Sequence, residues 1–385
     1  MSGQKTHDVA VIGAGVFGAW TALHLAKRGQ QVVLIDAYGP AHSRASSGGE
    51  SRIIRMGYGA DEIYTRWSQR SLVQWKQLFA ARAQEKLFQE TGVLWLSGAD
   101  DERFQQTVAT LTRCGVPFEQ MDVNALEKRF PQIGLAGITA GLLEPHSGAL
   151  MARRAVAAVV EAAIQQGAEY RNAQVLEPKG SGRVPHVSTN HGGIIVAGQF
   201  VFACGPWLGK VFPDVLGERI FPSRQEVFFF GVPAGDARFA PPVLPTWLFQ
   251  EDLVYGMPDI EGRGLKIAFD AHGERVDPDT QSRIVSPAMT EMVRVYVARR
   301  FPALRDAPIV ETRVCQYENT SNGDFLIDRH PAMENVWFVG GGSGHGFKHG
   351  PAMGEYVAGQ LLDGAAVEAR FSLATKDTVQ RRAVY

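Results

Sequence analysis

The first run of consecutive apolar residues, 9–12, predicts a buried strand, and a glycine-rich turn follows it at once: Gly13-Ala14-Gly15-Val16-Phe17-Gly18. Helical spacing of apolar residues then holds over Val16–Lys27 until Gly29 ends it. A second apolar run, 32–35, stops at Asp36. Further along, Tyr64, Trp67, Leu72, Trp75 and Phe79 recur at helical intervals within 61–80, residues 93–96 read as a strand, and 101–113 read as a polar helix. An alanine- and valine-rich helix is predicted over 151–166 and closed by Gly167. Strand candidates follow at 174–176 and 201–204, the second broken by Gly205-Pro206.

Between 221 and 310 the texture changes to short β-type runs at 227–230, 253–255 and 265–269, separated by proline and glycine. That pattern reads as a mostly antiparallel sheet, with one helix predicted over 288–301. A last apolar strand, 336–339, leads into Gly340-Gly341-Gly342-Ser343-Gly344-His345-Gly346-Phe347-Lys348, and Pro351 suits the first turn of a helix beyond it. The proline-dense 239–245 and the polar 277–286 read as turns, and neither a repeat nor a low-complexity linker interrupts the chain.

The early strand, turn, helix and strand form the start of a βαβ unit. Glycines in such a turn let the backbone approach a pyrophosphate at a helix N-terminus, and Asp36 at the end of the next strand is placed to accept from a ribose. The late glycine-rich loop selects the dinucleotide. A nicotinamide cofactor needs only the early motif, whereas a flavin must also be held at its ring, often by a segment far away in sequence. A helix N-terminus with Lys348 beside it would favour the negative charge of a reduced flavin, so FAD is expected rather than NAD.

Composition changes this picture little. The 385 residues are too many for one ordinary core, which points to two domains. Lys and Arg number 39 against 40 Asp and Glu, so no basic footprint for nucleic acid or an anionic membrane exists. Three widely spaced cysteines, Cys114, Cys204 and Cys315, suit a reducing compartment rather than a disulfide framework. Only six mostly polar residues precede His7, and no apolar run approaches a membrane span, so a soluble cytoplasmic protein, expected to be a monomer, is the reading. His345 and His349 are four apart in a glycine-rich turn with no third ligand near, and no metal is expected.

Four segments carry a more specific likeness. Ser47-Gly48-Gly49-Glu50-Ser51-Arg52-Ile53-Ile54-Arg55 with Tyr58, then Cys315-Gln316-Tyr317, then Phe325-Leu326-Ile327-Asp328-Arg329-His330-Pro331, then Ser343 to Lys348 occur in this order. They resemble the family of monomeric sarcosine oxidase, N-methyltryptophan oxidase and pipecolate oxidase, and the resemblance covers almost the whole chain. It implies an α/β plus β fold, with a Rossmann-like FAD-binding domain interleaved with a mostly antiparallel-sheet substrate domain. The expected FAD domain comprises 1–85, 147–217 and 311–385, and the substrate domain 86–146 and 218–310. The implied reaction is hydride transfer from a secondary-amine amino acid to flavin N5, giving an imine, followed by reoxidation by O₂ to hydrogen peroxide. Rival readings are a flavin dehydrogenase with another acceptor, an NAD-dependent dehydrogenase, and a flavin-binding protein without catalysis.

The resemblance also implies roles. Cys315 would form a thioether to the flavin, where a bland reading makes it a small buried hydrophobe. Lys266, flanked by Leu265 and Ile267 on a strand, would face away from them and supply the cation for O₂ reduction, although a lysine there is usually solvated. Arg55 and Lys348 would grip the substrate carboxylate, while Arg52, three residues earlier on the same side of a helical turn, would face flavin or pyrophosphate. Tyr255 and Tyr317 would wall the pocket. Gly13, Gly15, Val16, Phe17, Gly18, Asp36, Ser43, Arg44, Ser51, Val175, Gly205, Trp207, Gly342, Gly344, His345, Gly346 and Phe347 complete the expected cofactor contacts, with Arg52 and Lys348. Two positions depart from the family pattern, each with another residue in place of histidine: Gly48, expected to open space, and Asp270, expected to add an anion or base. Both favour a substrate bulkier than sarcosine.

Overall fold

Alternation along the first strand, Thr6–Ile12, divides its side chains between two cores. Val9 and Val11 pack with the helices, whereas Ala10 and Ile12 join Val33, Ile35, Phe200 and Phe202 on the opposite face. The computed structural model describes residues 6–98 and 101–381, and the ends of the two terminal expected segments lie outside them. Thr6–Ile12 is the centre of a seven-stranded sheet. It pairs in parallel with Val32–Asp36 on one side and Ile194–Phe202 on the other, and Glu169–Asn172 and Val336–Gly340 extend the parallel set outward. Leu326–Arg329 and His186–Ser188 add antiparallel pairs. Helix Val16–Lys27 packs against Ala152–Gln165 and Gly350–Asp363, which is the Rossmann-like arrangement expected.

The second sheet has eight strands in the order Ile309–Asn319, Phe221–Phe230, Leu265–Phe269, Val254–Met257, Thr246–Phe249, Val93–Ser97, Ala140–Glu144 and Glu119–Asp122. All neighbours are antiparallel except Thr246–Phe249 with Val93–Ser97. One face buries Leu94, Trp247, Phe228, Leu265 and Ile267 against helix Pro287–Arg300. The other face carries Lys266 and Phe229 toward the loop that leads into Arg52–Ile54. This alternation is the one anticipated for Lys266.

Three details depart from expectation. Residues 174–176 make no strand; Val175 forms an isolated bridge to Thr189, and the sheet strand lies earlier, at Glu169–Asn172, whose polar sequence hid it. Ile309–Asn319 pairs along its length with Phe221–Phe230, so residues 311–319 run in the antiparallel sheet although the third expected cofactor segment begins at 311. Arg52 stands at the start of a strand, Arg52–Ile54, rather than in a helical turn. No helix among the described residues is long and apolar enough to cross a membrane.

Candidate active site

A cavity of 390 Å³ runs from the first glycine turn to the last. Gly13, Gly15, Val16, Phe17, Asp36, Val175, Gly205, Trp207, Gly342, Gly344, Gly346 and Phe347 line it, with Arg52 and Tyr317. Gly13 has φ +108°, and a Cβ there would run into the carbonyl of Ala203, so the turn admits only glycine. Gly18 lies behind the cavity and allows the helix to sit close against Gly13. Gly15 caps Val16–Lys27 without a side-chain hydrogen bond and no acidic residue occupies the first turn, which suits an incoming pyrophosphate. Asp36 accepts from the N–H groups of Ala14 at 2.7 Å, Tyr38 at 2.8 Å and Gly39 at 2.9 Å, which fixes its carboxylate on the cavity wall. The buried hydroxyl of Ser46, on the same wall, has no partner among the described residues. These features fit a bound FAD.

A second cavity of 340 Å³ adjoins the first, sharing Ala45 and Arg52 with it. Ser43, Arg44, Gly48, Lys266 and Cys315 line this one. Arg52 forms the partition: its guanidinium donates to the Ser46 carbonyl at 2.6 Å and the Ser51 carbonyl at 2.9 Å and lies 3.1 Å from Cys315 Sγ. Lys266 Nζ donates to the Ser51 carbonyl at 2.9 Å, and burial, reinforced by Arg52, pushes its pKa down to about 7. Gly48 belongs here, away from Arg55 and Lys348. A Cβ on it would strike the His42 carbonyl, so this glycine is required by the backbone and does not widen a substrate pocket.

The third group gathers around Tyr58. The Arg55 guanidinium carbon lies 4.4 Å from the Tyr58 ring centre and 4.7 Å from that of Trp95, and Nη1 donates to the Gly57 carbonyl. Lys348 Nζ donates to the Tyr58 hydroxyl and the His345 carbonyl, each at 2.9 Å. Asp270, just past Leu265–Phe269, accepts from the Tyr317 hydroxyl at 2.9 Å. Burial pushes the Asp270 carboxyl up, while the Tyr317 hydrogen bond and the charges of Arg55, His272 and Lys348 draw it back. Tyr255 spans the two groups: its ring centre is 5.8 Å from Lys266 Nζ, and burial raises its hydroxyl to about 12. Among the described residues no cluster of three His, Cys, Asp or Glu is placed to hold a metal. His345 and His349 both turn their rings to Tyr58.

Residues 8–360 match the family described as FAD dependent oxidoreductase. The chain belongs to that family. Monomeric sarcosine oxidase of Streptomyces avermitilis is 32% identical over 94% of this chain and 95% of its own length. N-methyl-L-tryptophan oxidase of Salmonella heidelberg is 27% identical over 91% and 94%. In the fold alone, L-proline dehydrogenase from P. horikoshii superposes with a TM-score of 0.82 at 23% identity over 96% and 97% of the two chains. This oxidoreductase therefore acts through FAD on amine C–N bonds, and nicotinamide chemistry is set aside.

Sequence reasoning missed two buried carboxyls of the enzyme. Glu144 accepts from Met56 N at 2.6 Å, Gly57 N at 3.0 Å and Trp95 Nε1 at 2.8 Å, so one carboxylate holds both the turn and the ring that hold Arg55. Glu318 lines the first cavity beside the N–H groups of Gly341 and Gly342, and burial raises it to about 8. Neither had a motif. The partners of Glu144 lie 88 and 49 residues away, so only the fold assembles them.

Proposed function

We propose that this enzyme oxidises an N-methyl or cyclic amino acid bulkier than sarcosine and passes the electrons to O₂, yielding an imine and hydrogen peroxide. The pairing of Arg55 and Lys348 over one Tyr58 ring carries this reading, because a buried guanidinium and a buried lysine nitrogen, each with neutral hydrogen-bond partners, await an anion. A guanidinium fork and an ammonium together match a carboxylate, whose capture would fix the neighbouring amine carbon in place. When bound, FAD supplies the hydride acceptor and the electron path to O₂. Asp270, oriented by Tyr317, pairs as an anion with the substrate nitrogen. Lys266, while protonated, brings a positive charge to the second cavity, where it would stabilise the negative charge of O₂ as it is reduced.

Proximity of Cys315 to the partition between the cavities supports a thioether to the flavin. The preference for bulk now rests on Asp270 alone, since a carboxylate is smaller than the imidazole of the family pattern and adds an anion. The sarcosine, N-methyltryptophan and proline in the names of the similar proteins bracket the range of secondary amines to be tried. The test is a peroxide assay over N-methyl and cyclic amino acids of graded size. A bulky secondary amino acid should give the highest kcat/KM. Sarcosine as the best substrate, or equal rates with amines that lack a carboxylate, would end this reading; reduction without peroxide would make the enzyme a dehydrogenase.

A further inference from the structure

The hydrogen bonds around Tyr58 run in one direction. His349 Nδ1 is buried with no partner among the described residues, so the ring proton belongs on Nε2, which donates to the Tyr58 oxygen at 2.8 Å. Lys348 Nζ donates to the same oxygen at 2.9 Å. With two donors upon it, the hydroxyl turns its own proton to His345 Nδ1 at 3.3 Å, and His345 Nε2 donates to the Gly323 carbonyl at 3.1 Å. Tyr58 is thus fixed as an acceptor toward Lys348.

This order leaves Lys348 a choice of state. Two N–H bonds satisfy the Tyr58 hydroxyl and the His345 carbonyl, and a neutral amine has two to give. Its remaining tetrahedral position then holds a lone pair; in the ammonium it holds a third N–H. Arg55 stands over the same ring, its guanidinium carbon 4.4 Å from the ring centre. The groups that face Lys348 are Arg55, Glu144 from the end of Ala140–Glu144, Asp270 beyond Leu265–Phe269, Tyr58, His345 and His349, and Tyr64 from helix Glu62–Ala81 packs on Tyr58 and His345 behind them. Burial, and then Arg55, hold Lys348 well below the usual lysine range, against the pull of Asp270 and Glu144. His349 is kept neutral by burial and by Lys348.

We propose that carboxylate binding and protonation of Lys348 are one coupled event, in which the free amine of the empty site becomes an ammonium as an anion settles beside Arg55. The inference rests on the carboxylate reading of these two residues. With an amino-acid zwitterion, an N–H bond of the substrate ammonium breaks, its electron pair stays on the substrate nitrogen, and the proton forms the third N–H of Lys348. Nothing is oxidised in this step. The site thereby exchanges one proton for two gains: a second charge on the carboxylate and the free nitrogen lone pair that amine oxidation requires. Tyr58 is a positioning residue in this scheme, with His349 fixing the direction of its hydroxyl.

The experiment is calorimetric titration of the FAD-loaded enzyme with 2-furoate, a carboxylate that has no amine, in two buffers of different ionisation heat from about pH 6 to about pH 10. Proton uptake should approach one per site in the alkaline range, where Lys348 starts as an amine, and fall toward zero in acid. Lys348→Met should abolish the uptake. Lys348→Arg should bind 2-furoate with none, because its charge is permanent, and Asp270→Asn should keep it. Tyr58→Phe should move the uptake to lower pH, since it removes an acceptor that favours the ammonium. Binding without uptake in the wild type, uptake that survives in Lys348→Met, or loss of uptake in Asp270→Asn would each overturn the coupling while leaving the carboxylate site standing. Failure to bind 2-furoate, or binding unchanged in Arg55→Ala, would instead remove the carboxylate site itself.

Discussion

The Tyr317 hydroxyl donates to Asp270 Oδ1 at 2.9 Å, which joins strand Ile309–Asn319 to the segment just past Leu265–Phe269. Burial holds the Asp270 carboxyl above the usual range, so the anion forms only as pH rises past that raised value. In that window the unfolded chain has already lost the proton that the folded chain keeps, so this group makes stability fall as pH rises. Catalysis that needs the anion runs the other way and gains with pH. Asp270→Asn should therefore lower kcat/KM and flatten its acidic limb; a limb that survives unchanged would assign it to another group. Asp270→His should shift preference toward smaller N-methyl amino acids.

Lys266 carries its charge below about pH 7 and loses it as pH rises through that value. Reoxidation of the reduced enzyme by O₂ should accordingly slow in the alkaline range. Lys266→Met should still be reduced by substrate without air, yet reoxidise about tenfold or more slowly and with no such pH dependence. Stopped-flow mixing with O₂ checks both, and an unchanged rate would pass the role to Arg52.

Cys315 Sγ lies 3.1 Å from the Arg52 guanidinium on the wall of the second cavity. Acid-precipitated wild-type protein should keep its yellow colour, and Cys315→Ser should release it to the supernatant. All of the flavin in the wild-type supernatant would end the thioether while leaving FAD binding intact.

What was legible in the sequence is what repeats along it. The alternation of Leu265, Lys266 and Ile267 placed the lysine opposite the core before any fold was known, and the structure buries Leu265 and Ile267 in one cluster with Lys266 on the other face. The glycine turn, the helix Val16–Lys27 and Asp36 were legible for the same reason, since each serves a local backbone need. Gly48 was misread because its purpose is a close approach to the His42 carbonyl, which no spacing reveals. Glu144 was invisible because a buried carboxylate that clamps Met56, Gly57 and Trp95 is defined wholly by long-range contacts.

Gly13→Ala tests the cofactor turn independently of catalysis. The positive φ alone costs about 1–3 kcal/mol for a side chain, and the overlap with the Ala203 carbonyl adds to it. The variant should melt earlier and purify with little FAD. Full flavin content with an unchanged Tm would mean that the turn relaxes freely and does not cradle the pyrophosphate.

Arg55 is where the substrate reading is most exposed. Its guanidinium is buried between the Tyr58 and Trp95 rings, and Glu144 fixes both Trp95 and the turn that receives its hydrogen bond. Arg55→Ala would leave a bound carboxylate facing Lys348 alone, at a cost of roughly 2–5 kcal/mol, so kcat/KM for an amino acid should fall at least about thirtyfold. Glu144→Gln should give a milder loss of the same kind, because it loosens Arg55 without removing it. The control is an amine of equal size with no carboxylate, whose slow oxidation should be insensitive to Arg55→Ala. An equal loss on that amine would show that the substitution damages the fold around Tyr58, and an amino-acid rate that survives would place the carboxylate elsewhere.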